Sequence, residues 1–388
     1  DGETYPFHEL TGSGLAWKVA CYMLTLVDDY DYAMELVDLA AFGTIADVAP
    51  LIGENRSIVK RALRQMRSCW YKREGVKALY DGPLDRITAE DIAFKIAPCI
   101  NASGRLDVRG ADLPLLLLLE DRPGIAEFLA ERLTDCNNRR KSIQKEWCNR
   151  MEETALKMVE QGDKILVLLA DGAPSGVVGL VAGNLKEKYN RPTIVFAPKQ
   201  DSSGKTVWTG SGRSIKGFHL LNALKTCEDF FLAYGGHELA AGMSIPENEE
   251  VLSQLRTRLN QVAEYLSETD LMPMTYWDTE ITEAELTNSL YEELKSLEPF
   301  GEGVKKPVFK MRMHLLPKRH MLMGADKSHL KLFCENYSAV GFSLADKYIR
   351  SELPEVIDAL GYPCENYFNG KVKQEFMLVD FEPVTENE

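Results

Sequence analysis

The segment from about residue 123 to 161 runs through AEFLAERLTDCNNRRKSIQKEWCNRMEETALKMV, and past Pro123 and Gly124 at its start no Pro or Gly interrupts it. As one helix, at ~1.5 Å per residue, it is a strut more than ~50 Å long. A strut of that length connects domains. The 388 residues leave room for two or three of them at roughly 100–200 residues each. With 45% hydrophobic and 27% charged residues, the composition is globular and excludes wholesale disorder or a collagen-like repeat.

The net charge is −14, which argues against a uniformly basic nucleic-acid coat. The charge is unevenly placed, however. Residues 56–77 carry eight basic side chains against Glu74 alone, a net +7. Residues 245–302 carry three basic and fourteen acidic residues, a net −11, and residues 305–350 carry ten basic residues against Asp326, Glu335 and Asp346, again +7. Each block taken singly is either a solvated helix face or a binding surface. Two basic blocks in separate regions bring an anionic polymer into consideration.

The eight cysteines form no CxxC pair, which fits reduced thiols and disfavours zinc. The polar opening at Asp1 does not read as a signal peptide. The apolar runs are too short or too interrupted to span a bilayer, which needs about 20 residues. A soluble cytoplasmic protein is the expectation. With no initiator Met and no element ahead of DGETYPF, the chain also reads as processed or truncated.

Apolar spacing predicts helices over 13–27 and about 32–42, then a loop GTIADVAP closed by Pro50, then a helix from 56 to about 70 with Asn55 as N-cap. In that last helix Ile58, Val59, Ala62, Leu63 and Met66 form the packing face and the basic residues lie mostly opposite. A short helix at 89–95 precedes a loop, APCINASGRLD. Beyond the strut, KILVLLA is a buried-strand pattern, GVVGLVAGNLKEKY a helix and PTIVFAP a second strand. This βαβ unit favours a parallel α/β sheet. Strands at 205–211 and 239–244 and helices at about 217–226 and 248–268 complete the region. After Pro299 come five strand-like runs, at 307–315, 328–334, 337–343, 356–361 and 374–381, with Asn369-Gly370 as a hairpin signal. They fit a small barrel, with the OB-fold as leading choice.

Four motifs can carry chemistry. Asp47, at the tip of GTIADVAP, is either a divalent-metal ligand or a turn cap. Arg105 in NASGRLD either aims a guanidinium at a phosphate or makes a structural ion pair. In TGSGRS, Ser211 and Arg213 lie two apart, so in a strand they project to the same side as a hydroxyl–guanidinium clamp for phosphate. In YGGHELAAG, Gly235 and Gly236 allow close backbone approach and His237 supplies a ring donor. The six histidines are too far apart for HxH or HExxH metal spacings, and no Walker A motif or GxSxG elbow is present. The residues themselves give phosphate-binding loops without a complete catalytic centre.

Taken in order, YPFHELTGSGLAWKVA, GTIADVAPLIGENR, INASGRLD, CNNRRK, SGVVGLVAGNLKEKYNRPTIVF, GSGRSIKGFHL, YGGHELAAGM, LEPFGEG and DKSHLKL resemble the RecJ-type single-strand DNA exonucleases of the DHH phosphoesterase superfamily. The resemblance covers nearly the whole chain. It implies an α/β multidomain fold: the C-terminal part of a DHH catalytic domain (1–115), a long connecting helix (116–162), an α/β DHH-associated domain (163–270) and an OB-fold barrel with a lead-in helix (271–388). It implies 5′→3′ hydrolysis of single-stranded DNA to 5′ mononucleotides with two Mn2+ or Mg2+ ions, in recombination and repair, by a monomer of the bacterial cytosol or nucleoid. Single-strand binding protein and a RecQ-type helicase are the implied protein partners.

By position, Asp47 matches the last metal-binding Asp of such catalytic domains. Arg105, Ser211 and Arg213 match the residues that hold the terminal 5′ phosphate, and Gly235, Gly236 and His237 match a loop lining the nucleotide site. The trailing strand is expected along Arg56, Lys60, Arg64, Arg67, Lys331 and Phe333. Phe333, Tyr337, Phe342 and Tyr362 are either stacking platforms or barrel core. Two departures stand out. The family's paired-histidine and other metal motifs precede the YPF stretch and are not in this sequence, so this chain alone is expected to lack metal-dependent nuclease activity. The family's Trp-His pair ahead of the GV(I/V)G helix is replaced by Ala173 and Pro174. Two other readings stay open: a non-catalytic single-strand-binding or scaffolding relative, and a DHH phosphodiesterase of short oligonucleotides.

Overall fold

The computed structural model describes residues 5–384 apart from 107–109, 325, 353 and 369–370. Four helices open the chain, α1 (Gly12–Thr25), α2 (Tyr30–Glu35), α3 (Val37–Ala46) and α4 (Gly53–Met66). After α5 (Glu74–Leu79), α6 (Ala89–Asp91) runs on through a π-helical turn (Ile92–Ile96) into α7 (Ala97–Leu106). Next come α8 (Asp112–Leu119), α9 (Pro123–Glu160), β1 (Leu166–Leu169), α10 (Val178–Tyr189), β2 (Thr193–Gln200), β3 (Thr206–Arg213), α11 (Leu220–Lys225), β4 (Ala233–Gly236), β5 (Ala240–Pro246) and α12 (Glu249–Val262). The remainder is β6 (Thr279–Glu280), α13 (Asn288–Ser296), β7 (Phe309–His314), β8 (His320–Met323), β9 (His329–Phe333), β10 (Ser338–Gly341), α14 (Ala345–Arg350), β11 (Val356–Phe368) and β12 (Lys371–Pro383).

These elements form two compact units that do not follow chain order. One gathers Asp1–Gln65, Thr88–Glu90 and Met274–Glu388, the other Met66–Ile87 and Asp91–Pro273. In the first unit, α1 and α3 approach so closely that a Cβ on Gly43 would lie 2.1 Å from Ser13 Oγ, which is why a glycine stands there. Its sheet has the order β6-β7-β11-β12-β10-β9-β8 around a core that includes Phe309, Met311, Leu330, Leu332, Phe376 and Phe381. Seven strands stand where five runs are read from sequence, because β6 and β8 are two and four residues long and carry no extended alternation. Asn369-Gly370 lies outside the described residues, while Phe368 and Lys371 pair across the flanking strands.

The second unit is built on α9, 38 residues without a break. Ala126, Ala130, Leu133, Asn137, Trp147, Ala155 and Met158 are buried along it, three to four residues or multiples apart, the spacing of one helical stripe. Its first half packs with Leu117 in a small helical core, and its second half packs with β1, β2 and α10. The other face of the five-stranded sheet, ordered β1-β2-β3-β5-β4, is covered by α11 and α12. Only β1–β2 is parallel; the remaining pairs are antiparallel. The parallel expectation stops at β2 because Asp201 caps a tight return to β3, its carboxylate accepting from the Ser203 and Lys205 N–H groups at 2.8 and 3.0 Å.

Two local expectations are corrected. APCINASGRLD is not a loop, since residues 97–106 are helical. Pro98 has no N–H and would clash with a carbonyl four residues back in a regular helix, and the π turn just before it relieves that conflict. Asn55 is not an N-cap. It is fully buried inside α4, where its amide donates to the carbonyls of Glu9 and Pro50 at 2.7 and 3.1 Å.

Candidate functional site

Four elements of the second unit converge on one cluster of cations. Ser211 and Arg213 occupy alternate positions of β3 and project together, with Arg213 donating to Ser211 Oγ at 3.0 Å and to the Gly212 carbonyl at 2.8 Å. The N-terminal turn of α10 sits against them: a Cβ on Gly179 would lie 2.8 Å from Ser211 Oγ and 3.1 Å from an Arg213 guanidinium nitrogen. That turn has no side-chain cap, and the positive end of a helix favours an anion. Gly176, just ahead of it, touches the end of α7. A Cβ there would lie 2.2 Å from the Arg105 carbonyl, and Arg105 itself donates to the Gly176 carbonyl at 3.3 Å.

Arg140 of α9 joins from the side. It is held by Gln144 and Asn137, each accepting at 2.6 Å, and Asn137 in turn donates to Cys99 Sγ of α7 at 3.2 Å. Burial and the charge of Arg105 both push the Arg140 and Arg213 guanidiniums down from their ordinary range. Among the described residues, Arg105, Arg140 and Arg213 form no ion pair with a carboxylate. Three guanidiniums, a hydroxyl and a helix N-terminus make a concentration of positive charge chemically suited to a compact anion.

Beside the cluster lies bare backbone. Gly242 of β5 stands opposite Ser211 on one side and Gly235 of β4 on the other, and a Cβ on either glycine would meet nothing within 4 Å. Gly236 has φ 147°, and a Cβ there would lie 2.4 Å from the Ala240 carbonyl, so glycine is required. The exposed His237 follows, its N–H bonded to the Ala240 carbonyl at 2.8 Å; Ala240 pairs with Arg213 in the sheet.

Asp47 belongs to the first unit. It ends α3, exposed, and the next residue, Val48, has φ 56°, a conformation a β-branched residue rarely adopts. Among the described residues no three His, Cys, Asp or Glu side chains gather as a metal site. One carboxylate does not supply the ligands two divalent cations need, so the described residues do not by themselves fit the two-metal centre.

The strand-track residues divide. Lys60 and Arg64 are exposed on α4. Arg56 instead donates to the carbonyls of Leu297 and Pro299 at 2.6 and 2.8 Å, and Arg67 to that of Ile87 at 2.9 Å, so both spend hydrogen-bonding capacity on structure. Lys331 is also engaged within the sheet. It pairs with Glu375, a carboxylate only 3% exposed that also accepts from Ser338 and Asn366. Phe333 is half-buried, Tyr337 donates to Glu283 at 2.6 Å, and Lys306 lies over the Tyr362 ring at 4.3 Å. Of the four proposed platforms only Phe342 is well exposed, at 59%.

Residues 162–265 match the DHHA1 domain and residues 277–380 the RecJ OB domain. The chain is 34% identical to the single-stranded-DNA-specific exonuclease RecJ of Bacillus subtilis, over 98% of this chain and 47% of that protein. It is 32% identical to its counterpart from Escherichia coli, over 85% and 59%. The crystal structure of RecJ in complex with Mg2+ from Thermus thermophilus superposes with a TM-score of 0.78 at 30% identity, covering 99% of this chain and 58% of that one. The chain belongs to the RecJ family. It spans about half the length of the curated RecJ relatives it matches.

Against the RecJ family pattern, Ala173 is buried and its N–H bonds the Ala170 carbonyl at 3.0 Å. Arg140 and Gly242 are the site residues that sequence reasoning did not assign. Arg140 lies in the quoted CNNRRK stretch, but which of its two arginines turns inward depends on the helix face: Arg139 is exposed and Arg140 half-buried. Gly242 becomes legible only through the β3–β5 register. Among the described residues no helix is long and apolar enough to cross a membrane.

Proposed function

We propose that this chain is the end-recognising and strand-holding part of a metal-dependent, single-strand-specific 5′→3′ exonuclease acting in DNA recombination and repair. The convergence of Arg105, Arg140, Arg213 and Ser211 on the uncapped start of α10 carries the reading. A terminal 5′-phosphate monoester has more charge and more free oxygens than an internal diester, so it gains most from several guanidiniums at once. The clamp fixes which end enters, and the glycine floor of Gly235 and Gly242 lets the first nucleotide lie against backbone. The RecJ OB domain match supports a strand over a di- or trinucleotide substrate.

The relatives' crystal structures in complex with Mn2+ and Mg2+ support two divalent ions as cofactor, with Asp47 as one ligand and the others outside the described residues. The 388-residue chain should therefore bind strands but release no nucleotides in Mn2+; nucleotide release by the purified chain would contradict this. For the clamp, Arg213→Ala should abolish the preference for 5′-phosphorylated over 5′-hydroxyl oligonucleotides, read by fluorescence anisotropy. An equal loss on both ends would remove Arg213 from the phosphate site.

A further inference from the structure

The ring of Phe94 is 76% exposed, although the helical segment carrying it is well fixed. Ile92 and Ile96 on either side are fully buried, and Lys95 is held by Asp91 at 2.9 Å with its ammonium 5.3 Å from the Tyr80 ring centre. Phe94 sits in the π-helical turn, a feature that recurs at functional sites. The same helix then carries Arg105 to the phosphate cluster. Phe94, Pro98, Asn101 and Arg105 are spaced four, three and four apart, so they share one face. All four are at least partly exposed, while Ile96, Ala97, Cys99, Ala102 and Ser103 between them are buried. From Phe94 to Arg105 the face thus presents an aromatic ring, a proline, an amide and a guanidinium in line.

We propose that Phe94 is a base-stacking platform for the strand whose 5′ phosphate is held at Arg105. The proposal rests on the phosphate-clamp reading and extends it from the terminal phosphate to a base farther along. Eleven residues of helix place the ring about 16 Å from Arg105. At about 3.4 Å per stacked nucleotide, that distance is up to about five nucleotides, and an extended strand covers it with fewer. A base has an apolar face for the ring whatever its identity, so the contact holds the strand without reading its sequence. The Asn101 amide, between ring and guanidinium, can donate to the backbone or to a base edge on the way.

The test uses the 388-residue chain without divalent metal and 5′-phosphorylated oligodeoxynucleotides of two to ten residues, followed by anisotropy. In the unaltered chain, affinity should step upward within the first five or so nucleotides. Phe94→Ala should remove that step, costing about ten-fold on the longer oligonucleotides and nothing on the dinucleotide. Phe94→Trp should keep the step and Phe94→Leu should lose it, because an aliphatic side chain fills the space but does not stack. With 2-aminopurine placed at successive positions, one position should change fluorescence on binding, and only while residue 94 is aromatic. Phe94→Ala binding every length like the unaltered chain overturns the proposal and leaves this face to a protein contact. Arg213→Ala separates the two readings. If it weakens all lengths while Phe94→Ala weakens none, the clamp stands and the platform falls. If Phe94→Ala removes the step and Arg213→Ala has no effect, the ring–base contact stands and the clamp falls. No binding by the unaltered chain overturns both.

Discussion

Arg140 shows how much a single side chain's surroundings decide. Its two acceptors, Asn137 and Gln144, orient the guanidinium without neutralising it, so its charge is kept for a ligand. Arg140→Met should therefore weaken binding of 5′-phosphorylated ends by about ten-fold or more, the scale of a hydrogen bond to a charged group, with little effect on 5′-hydroxyl ends. Arg140→Lys should recover only part, since lysine brings a point charge without the planar fork. A loss of equal size on both ends would mean that Arg140 only braces α7 against α9. Val48 is the converse case, a residue whose backbone rather than its side chain is constrained. Beside Asp47 it closes α3 in a left-handed conformation that glycine adopts freely. Val48→Gly should raise the urea midpoint, by about 1 kcal/mol of stability, unless contacts of the exposed valine outweigh the relief. A lower midpoint would show that they do.

At the scale of elements, Lys331 and Glu375 bind β9 to β12 across the intervening β10. Burial works to raise the Glu375 carboxyl, but the bonds from Lys331, Asn366 and Ser338 prevail and hold it below its ordinary range. A carboxylate with a lowered folded pKa contributes its full stabilisation above the unfolded value, near 4.3, and loses it as pH falls through the folded value. Lys331→Ala leaves that buried charge unpaired, which costs about 3 kcal/mol at pH 7. In the variant, burial is opposed only by the bonds from Asn366 and Ser338, so the carboxyl's pKa rises and the stability gap to the unaltered chain should narrow as pH drops from 7 to 4. A constant gap in urea titrations at the two pH values would rule the pairing out. Lys331 also marks a limit of sequence reading. Alternation in HLKLF places it on the outer face, and only the register to β10 and β12 reveals an acid waiting there. The βαβ unit, the strut and the side-by-side placement of Ser211 and Arg213 were legible because each depends on spacing within one segment. β4 was not, since Gly235 and Gly236 look like a turn until β5 pairs with them. Neither was α7, where Pro98 and Gly104 mask a helix that the π turn permits.

For the whole molecule, a net charge of −14 does not decide whether DNA is bound, because charges more than about 10 Å apart are largely screened at 0.1 M salt. Part of the acidic excess in 245–302 serves local structure: Glu249 and Glu250 lie in the first turn of α12, Glu285 completes a capping box with Thr282, and Glu283 accepts from Tyr337. In 56–77, Arg56, Arg67 and Arg73 keep their charge but direct their guanidiniums at backbone carbonyls. Candidates for phosphate contacts include Arg105, Arg140 and Arg213 at the cluster and the exposed Lys60 and Arg64 on α4. Each contacted phosphate on a single strand adds about −0.7 to the slope of log affinity against log salt. Five such contacts would give a slope of about −3.5 by that rule. Reversing Lys60 and Arg64 to Glu should flatten the slope by about 1.4 and leave the preference for phosphorylated ends intact. Arg56→Ala should leave the slope unchanged while lowering the urea midpoint. An unchanged slope in the double reversal would take α4 off the path of the strand, and a flattened slope in Arg56→Ala would show that this side chain leaves its carbonyl partners to meet DNA.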